Sequence, residues 1–187
     1  MSSLPSMDTY LRGTGLGIAG QACLVAAWLL GMLGALTQNP IGFAAVVAGV
    51  AGIVLSAIAF FLLHRRWGIL GHIAGWILSA GSAGAVILFF AIPGSGEWGK
   101  LGALIVSMCA LGIALVVSHL IAAIGLLRGG SRELGSAAVA VQSVGIVCAL
   151  VSALWGEDLW FVAAVTAFIC HALLLAGFIV MRRPRRA

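Results

Sequence analysis

Six long apolar runs, none broken by a charged side chain, constrain this chain more than any other feature. They cover roughly residues 13–37, 41–63, 68–92, 101–127, 134–154 and 159–181. A helix needs about 20 apolar residues to cross the hydrocarbon core of a bilayer. Each run meets that length, and together they take up most of the 187 residues. Inside a bilayer no water pairs with the backbone, so spanning segments are helices or closed barrels. A β-barrel would alternate apolar and polar residues in units of about ten. These runs are continuous, so the sequence predicts an all-α, polytopic bundle of six transmembrane helices.

Composition agrees and excludes the alternatives. Hydrophobic residues make up 63% and charged residues 8%, against about 45–50% and 25% in soluble domains. That rules out a soluble domain, a disordered chain and a coiled coil. The expected division is a short N-terminal segment (1–12), a transmembrane domain (13–181) and a basic tail (182–187). The first run is far longer than the 7–15-residue core of a signal peptide, so it reads as a retained span.

The breaks between runs are short, as in helical hairpins: Gln38-Asn39-Pro40, His64-Arg65-Arg66, Pro93 to Glu97, Arg128 to Glu133, and Gly156-Glu157-Asp158. Their basic residues are unevenly shared. Arg12, Arg65, Arg66, Arg128, Arg132, Arg182, Arg183, Arg185 and Arg186 fall on one side, and Lys100 alone on the other. By the positive-inside rule the arginine side is cytoplasmic, with both termini there. The same rule suits a bacterial inner membrane. The net charge of +5 then reflects topology and contact with membrane lipids, and no nucleic-acid partner is expected. Trp67 is expected at the cytoplasmic interface and Trp98, Trp155 and Trp160 at the opposite one. Trp28 and Trp76 are deeper and are expected to pack between helices.

Internal order is visible. Leu16-Gly17, Leu70-Gly71 and Leu134-Gly135 open the odd-numbered spans, and the even-numbered spans end in arginine. This suggests three copies of one hairpin. Small residues recur four apart at Ala27/Gly31, Ala48/Gly52, Gly52/Ser56, Gly71/Gly75 and Ala80/Gly84, a spacing that lets helices approach closely in lipid. The third span is the richest in glycine and is expected at the centre. The same faces would serve contact with other membrane subunits or with copies of the chain.

No Asp, Glu, Lys or Arg lies inside a run. A transporter coupled through a buried carboxylate is therefore disfavoured. No GxxxxGK[ST] loop is present for nucleotide chemistry, and no acid is placed to orient a Ser-His pair. No autonomous catalytic activity and no catalytic residue is assigned. Cys23, Cys109, Cys148 and Cys170 lie inside runs and at scattered depths, which argues against disulfides and against a metal centre.

What remains is a polar layer. At 1.5 Å per residue, Gln21 and Gln142 lie about 13–14 Å from the arginine edge, His72 about 9 Å, His119 about 13 Å and His171 about 16 Å. Ser56 and Ser118 share that level. Such groups need partners in hydrocarbon and are expected to face one another. Three uses follow from their chemistry: interhelical hydrogen bonding, a path for a small solute or protons, or haem b held by two of His72, His119 and His171. His64, beside Arg65-Arg66, reads as part of a solvated loop.

In size, six spans and hairpin repetition the chain resembles the HdeD-like short-repeat membrane proteins. The likeness rests on glycine-rich helices and a proline at the outer turns (Pro40, Pro93). The third hairpin has Trp155-Gly156-Glu157-Asp158 in place of that proline, and the family is not assigned. Six spans with several histidines also resemble ascorbate-linked dihaem cytochromes. Those place paired histidines on four central helices, whereas here the deep ones fall on the third, fourth and sixth. The reading at this level is a non-catalytic integral membrane protein, either an accessory subunit of a larger complex or a small oligomeric transport-like protein. The alternative is a haem-b electron-transfer subunit.

Overall fold

A computed structural model describes residues 7–37, 41–92, 97–155 and 159–182 of the chain. Among these residues there are seven helices: α1 (Met7–Thr37), α2 (Gly42–Leu62), α3 (His64–Trp67), α4 (Ile69–Ala91), α5 (Glu97–Gly129), α6 (Arg132–Trp155) and α7 (Trp160–Arg182). All but the four-residue α3 are long and apolar enough to cross a membrane. The molecule is the all-α six-span bundle that the sequence predicts. The turns at 38–40, 93–96 and 156–158, the tail from Arg183, and the side chains of Trp98 and Trp160 lie outside the described residues.

The helices overrun the apolar runs. α1 has 31 residues and α5 has 33, so each extends past a hydrocarbon core about 30 Å thick. Hydropathy marks the membrane core, but backbone hydrogen bonding continues into the headgroup layer, where charged side chains are solvated. For the same reason α1 starts at Met7, inside the segment read as an N-terminal tail, and His64-Arg65-Arg66 forms the helical turn α3 and not an open loop.

The most extensive interfaces are the three hairpins α1–α2, α4–α5 and α6–α7. Contacts of α2 with α4, α5 with α6 and α7 with α1 close them into a ring, and α7 also touches α5. The starts of α1, α4 and α6 thus share one end of the bundle with the ends of α2, α5 and α7. Contacts tie that end together: the Tyr10 hydroxyl donates to the Met181 carbonyl at 2.6 Å, and the Arg66 guanidinium donates to the Gly129 carbonyl. Arg12, Arg65, Arg66, Arg128, Arg132 and Arg182 are all exposed there, with Lys100 exposed at the other end.

The third span is not central. α4 packs on α2, α3 and α5, whereas α5 and α7 have the more interior positions. Gly71 and Gly75 do meet α2 and α3 closely, through Phe60, His64 and Phe61, but Gly84 meets nothing within 4 Å. Glycine density therefore marks one packed face and not a central helix.

Two tryptophans exchange the roles expected of them. Trp67 is buried between Phe60 and Phe178, its ring stacked 5.7 Å from that of Phe178. Trp76 is 65% exposed and meets the Phe61 ring edge to face. Gly68 directs Trp67 inward. Its φ of 62° and ψ of −143° belong to a region open essentially to glycine alone. The chain turns there between α3 and α4, and the indole folds under α5 against Gly125 and Gly129. Trp155 is 70% exposed at the far end, where an anchor is expected.

The main hydrophobic core lies in the arginine-bearing half. It gathers Phe60, Leu63, Trp67, Leu78, Leu126, Leu174 and Phe178 with several alanines. Replacing Gly68 with Ala should destabilise this corner by about 1–2 kcal/mol, the cost of forcing a side chain into a glycine-only conformation. Thermal unfolding in detergent measures it, with Gly84→Ala, in open space, as the neutral control.

Candidate functional site

Part of the expected polar layer meets in a hydrogen-bonded cluster around Gln21. α1 crosses α2 where Gly20 meets the Gly52-x-x-x-Ser56 face. A Cβ on Gly20 would lie 2.6 Å from Ser56 Oγ and 2.7 Å from the Ser56 backbone nitrogen. Only a residue without a side chain permits that approach. The approach brings Ser56 within reach of the next residue on α1.

The Gln21 amide nitrogen donates to Ser56 Oγ at 3.0 Å and to His119 Nε2 at 3.1 Å. Its carbonyl oxygen accepts from His171 Nδ1 at 3.0 Å. His119 Nδ1 donates to the Leu115 carbonyl at 2.8 Å, and Ser118 Oγ donates to the same carbonyl at 3.0 Å. One proton assignment satisfies the set with both imidazoles neutral: His119 protonated at Nδ1, His171 at Nδ1, and the amide placed as described. Turning the amide over would need a second proton on His119, a charge with no acid among the described neighbours. The cluster ties α1, α2, α5 and α7, and α7 lies between α1 and α5, touching both.

The whole group is buried, His171 being the most exposed member at 6%. Gln21, Ser56 and Ser118 are 0% exposed and His119 is 1% exposed. Phe60 closes one side of His119 edge to face at 5.6 Å, and His171 meets it edge to face at 4.6 Å.

The remaining sequence candidates lie elsewhere. Gln142 is buried on the inner face of α6 with Gly135, Ala138 and Gly145 but takes no part in these hydrogen bonds. His72 is exposed on α4, its ring 4.3 Å from that of His64, whose Nδ1 pairs with the Phe61 carbonyl at 2.6 Å. The structure thus joins Gln21, Ser56, Ser118, His119 and His171, and leaves out His72 and Gln142. Gly20 was not singled out from sequence, although its place before Gln21 and opposite a Gly52/Ser56 pair was the available signal.

These histidines do not fit a haem in this arrangement. Two imidazoles on one iron hold their nitrogens about 4 Å apart on opposite faces of a porphyrin plane. His119 and His171 instead pack edge to face at 4.6 Å, with the Gln21 amide bonded to both. His72 belongs to a separate pair. Among the described residues no group of three or more His, Cys, Asp or Glu could hold a metal ion, and the four cysteines are unpaired.

Comparison of the chain with family models, curated proteins and solved structures finds no match.

Gln21→Leu removes three side-chain hydrogen bonds, and polar pairs inside membranes contribute about 0.6 kcal/mol each on average. The expected loss is roughly 2 kcal/mol, read as a lower midpoint in detergent unfolding. A double-mutant cycle of Gln21→Leu with Ser56→Ala should show coupling. Strict additivity would mean that the two side chains do not interact.

Proposed function

We propose that the chain is a non-catalytic accessory subunit of a larger membrane complex, held rigid by the Gln21 cluster and docked through the end of the bundle away from the arginines. The observation that carries this reading is the exposure of the α4–α5 hairpin at that end. Every α4 residue from Val86 to Ala91 is exposed, its large side chains ranging from Leu88 at 37% to Phe90 at 79%, so the rest of the bundle covers that segment only in part. Across from it on α5, Leu101, Leu104, Ile105, Val106 and Met108 are exposed. Gly84, Gly102 and Gly112 have nothing within 4 Å of where a Cβ would stand, which leaves small-residue surface open to another helix. Ser107 Oγ is buried there without a hydrogen-bond partner.

The cluster supports the non-catalytic half of the reading. The Gln21 amide, His119 and Ser118 pair with one another, with Ser56 and His171, or with backbone, which is the pattern of interhelical cohesion. A carrier or relay would need groups left available to a passing solute. The asymmetry of arginine supports a cytoplasmic position for both termini, and a bacterial inner membrane suits it.

Photo-crosslinking from within native membranes tests the docking surface. A photoreactive residue at Phe90 or Met108 should give a discrete protein adduct that one at Val144, equally apolar and exposed on α6, does not. Adducts confined to lipid at all three positions would remove the subunit reading. Adducts of the chain with itself would replace it by a homo-oligomer. The purified protein should also be colourless, and a Soret band would bring the haem alternative back.

A further inference from the structure

At the arginine-bearing end, α1, α2 and α7 line a shallow, widely open cleft of about 760 Å³. Its α1 wall carries Asp8, Arg12 and Gly15, residues spaced four and three apart and so on one helical face. Arg182 comes from α7, and the apolar lining includes Leu16 and Leu62. Arg182 passes close to α1: its guanidinium lies 3.8 Å from where a Gly15 Cβ would stand. Two guanidinium groups therefore reach one apolar-walled cleft from different helices. Neither has an ion-pair partner among the described residues, whereas nearby Arg66 is engaged by the Gly129 carbonyl and the Tyr10 ring.

We propose that this cleft is a binding site for an anionic phospholipid, with the phosphate between Arg12 and Arg182 and an acyl chain along Leu16 and Leu62. Charge carries the choice of ligand. Two guanidinium groups against the single Asp8 carboxylate leave the cleft net positive. The planar fork of arginine suits phosphate oxygens and is always charged. Position agrees, because the cleft opens at the membrane boundary where lipid headgroups lie. Apolar walls beside a cationic rim suit an amphiphile better than a free inorganic ion.

Native mass spectrometry of the full chain in detergent, titrated with phosphatidylglycerol or phosphatidylcholine, tests the site. Phosphatidylglycerol should be retained preferentially, with one molecule bound more tightly than the rest. Replacing Arg12→Gln and Arg182→Gln together should weaken that binding about 25-fold, taking each arginine near a lipid surface as worth about fivefold. Gly15→Leu, which fills the cleft without changing charge, should weaken it too. The pair Arg128→Gln and Arg132→Gln, exposed at the same end but outside the cleft, should leave it unchanged. Equal losses from both arginine pairs would overturn the proposal in favour of diffuse attraction, and so would an absence of preference between the two lipids. Displacement of the lipid by millimolar inorganic phosphate would show a free-anion site instead. Should the cleft arginine variant fail to fold, Asp8→Asn serves: it should tighten phosphatidylglycerol binding, and unchanged affinity would count against the site.

Discussion

The primary carboxamide of Gln21 is the group around which this bundle is arranged. In hydrocarbon an unpaired amide costs several kcal/mol, and no water is present to relieve it. Its partners must come from other helices, and they must come at once, because one amide has donors and an acceptor to satisfy. Ser56, His119 and His171 meet that demand from α2, α5 and α7. Each partner fixes the rotation of its own helix. Apolar packing alone would fix it less sharply, since lipid chains are as apolar as leucine and do not drive helices together. The cluster therefore supplies specificity of arrangement more than bulk stability.

That arrangement depends in turn on glycine. The hydrogen bond between Gln21 and Ser56 exists because Gly20 lets α2 approach until backbone meets backbone. On the other side, Phe178 packs where Gly17 leaves space, and this places α7 at the distance from which His171 reaches Gln21. Close approach and polar pairing are thus one device: the small residues set the separation and the polar residues set the register.

Depth along the membrane normal was legible in the sequence; direction around each helix was legible only in part. Counting from the arginines placed Gln21, Ser56, Ser118, His119 and His171 at one level, and they do meet. The same count admitted His72, which does not. The information that separates them is angular. On α4 the buried stripe runs through Gly71, Ala74, Gly75 and Leu78, and His72 and Trp76, four residues apart, share a different face. A reading that took the glycine stripe as the packed face would have put both on the outside. Gln142 shows the complementary limit: it lies on the packed face of α6, whose main contacts among the described residues are with α5 and α7, and its neighbours there offer it no hydrogen bond. Trp67 escaped for a third reason, since its inward course depends on the backbone of Gly68, which hydropathy does not encode.

The two ends of the molecule then differ for physical reasons that belong together. Near the arginines, the aromatic core of Phe60, Trp67 and Phe178, the Gln21 cluster and the bonds from Tyr10 and Arg66 all converge. Toward the other end α4 still meets α5 closely where Gly81 faces Ala114 and is buried at Ala85, but from Val86 onward every residue of α4 is exposed. A helix pair in lipid gains little from contact with acyl chains that another helix could not also supply with better packing. If the chain docks as proposed, a second protein can cover the exposed hairpin without disturbing the fold, because the groups that define the fold lie at the other end.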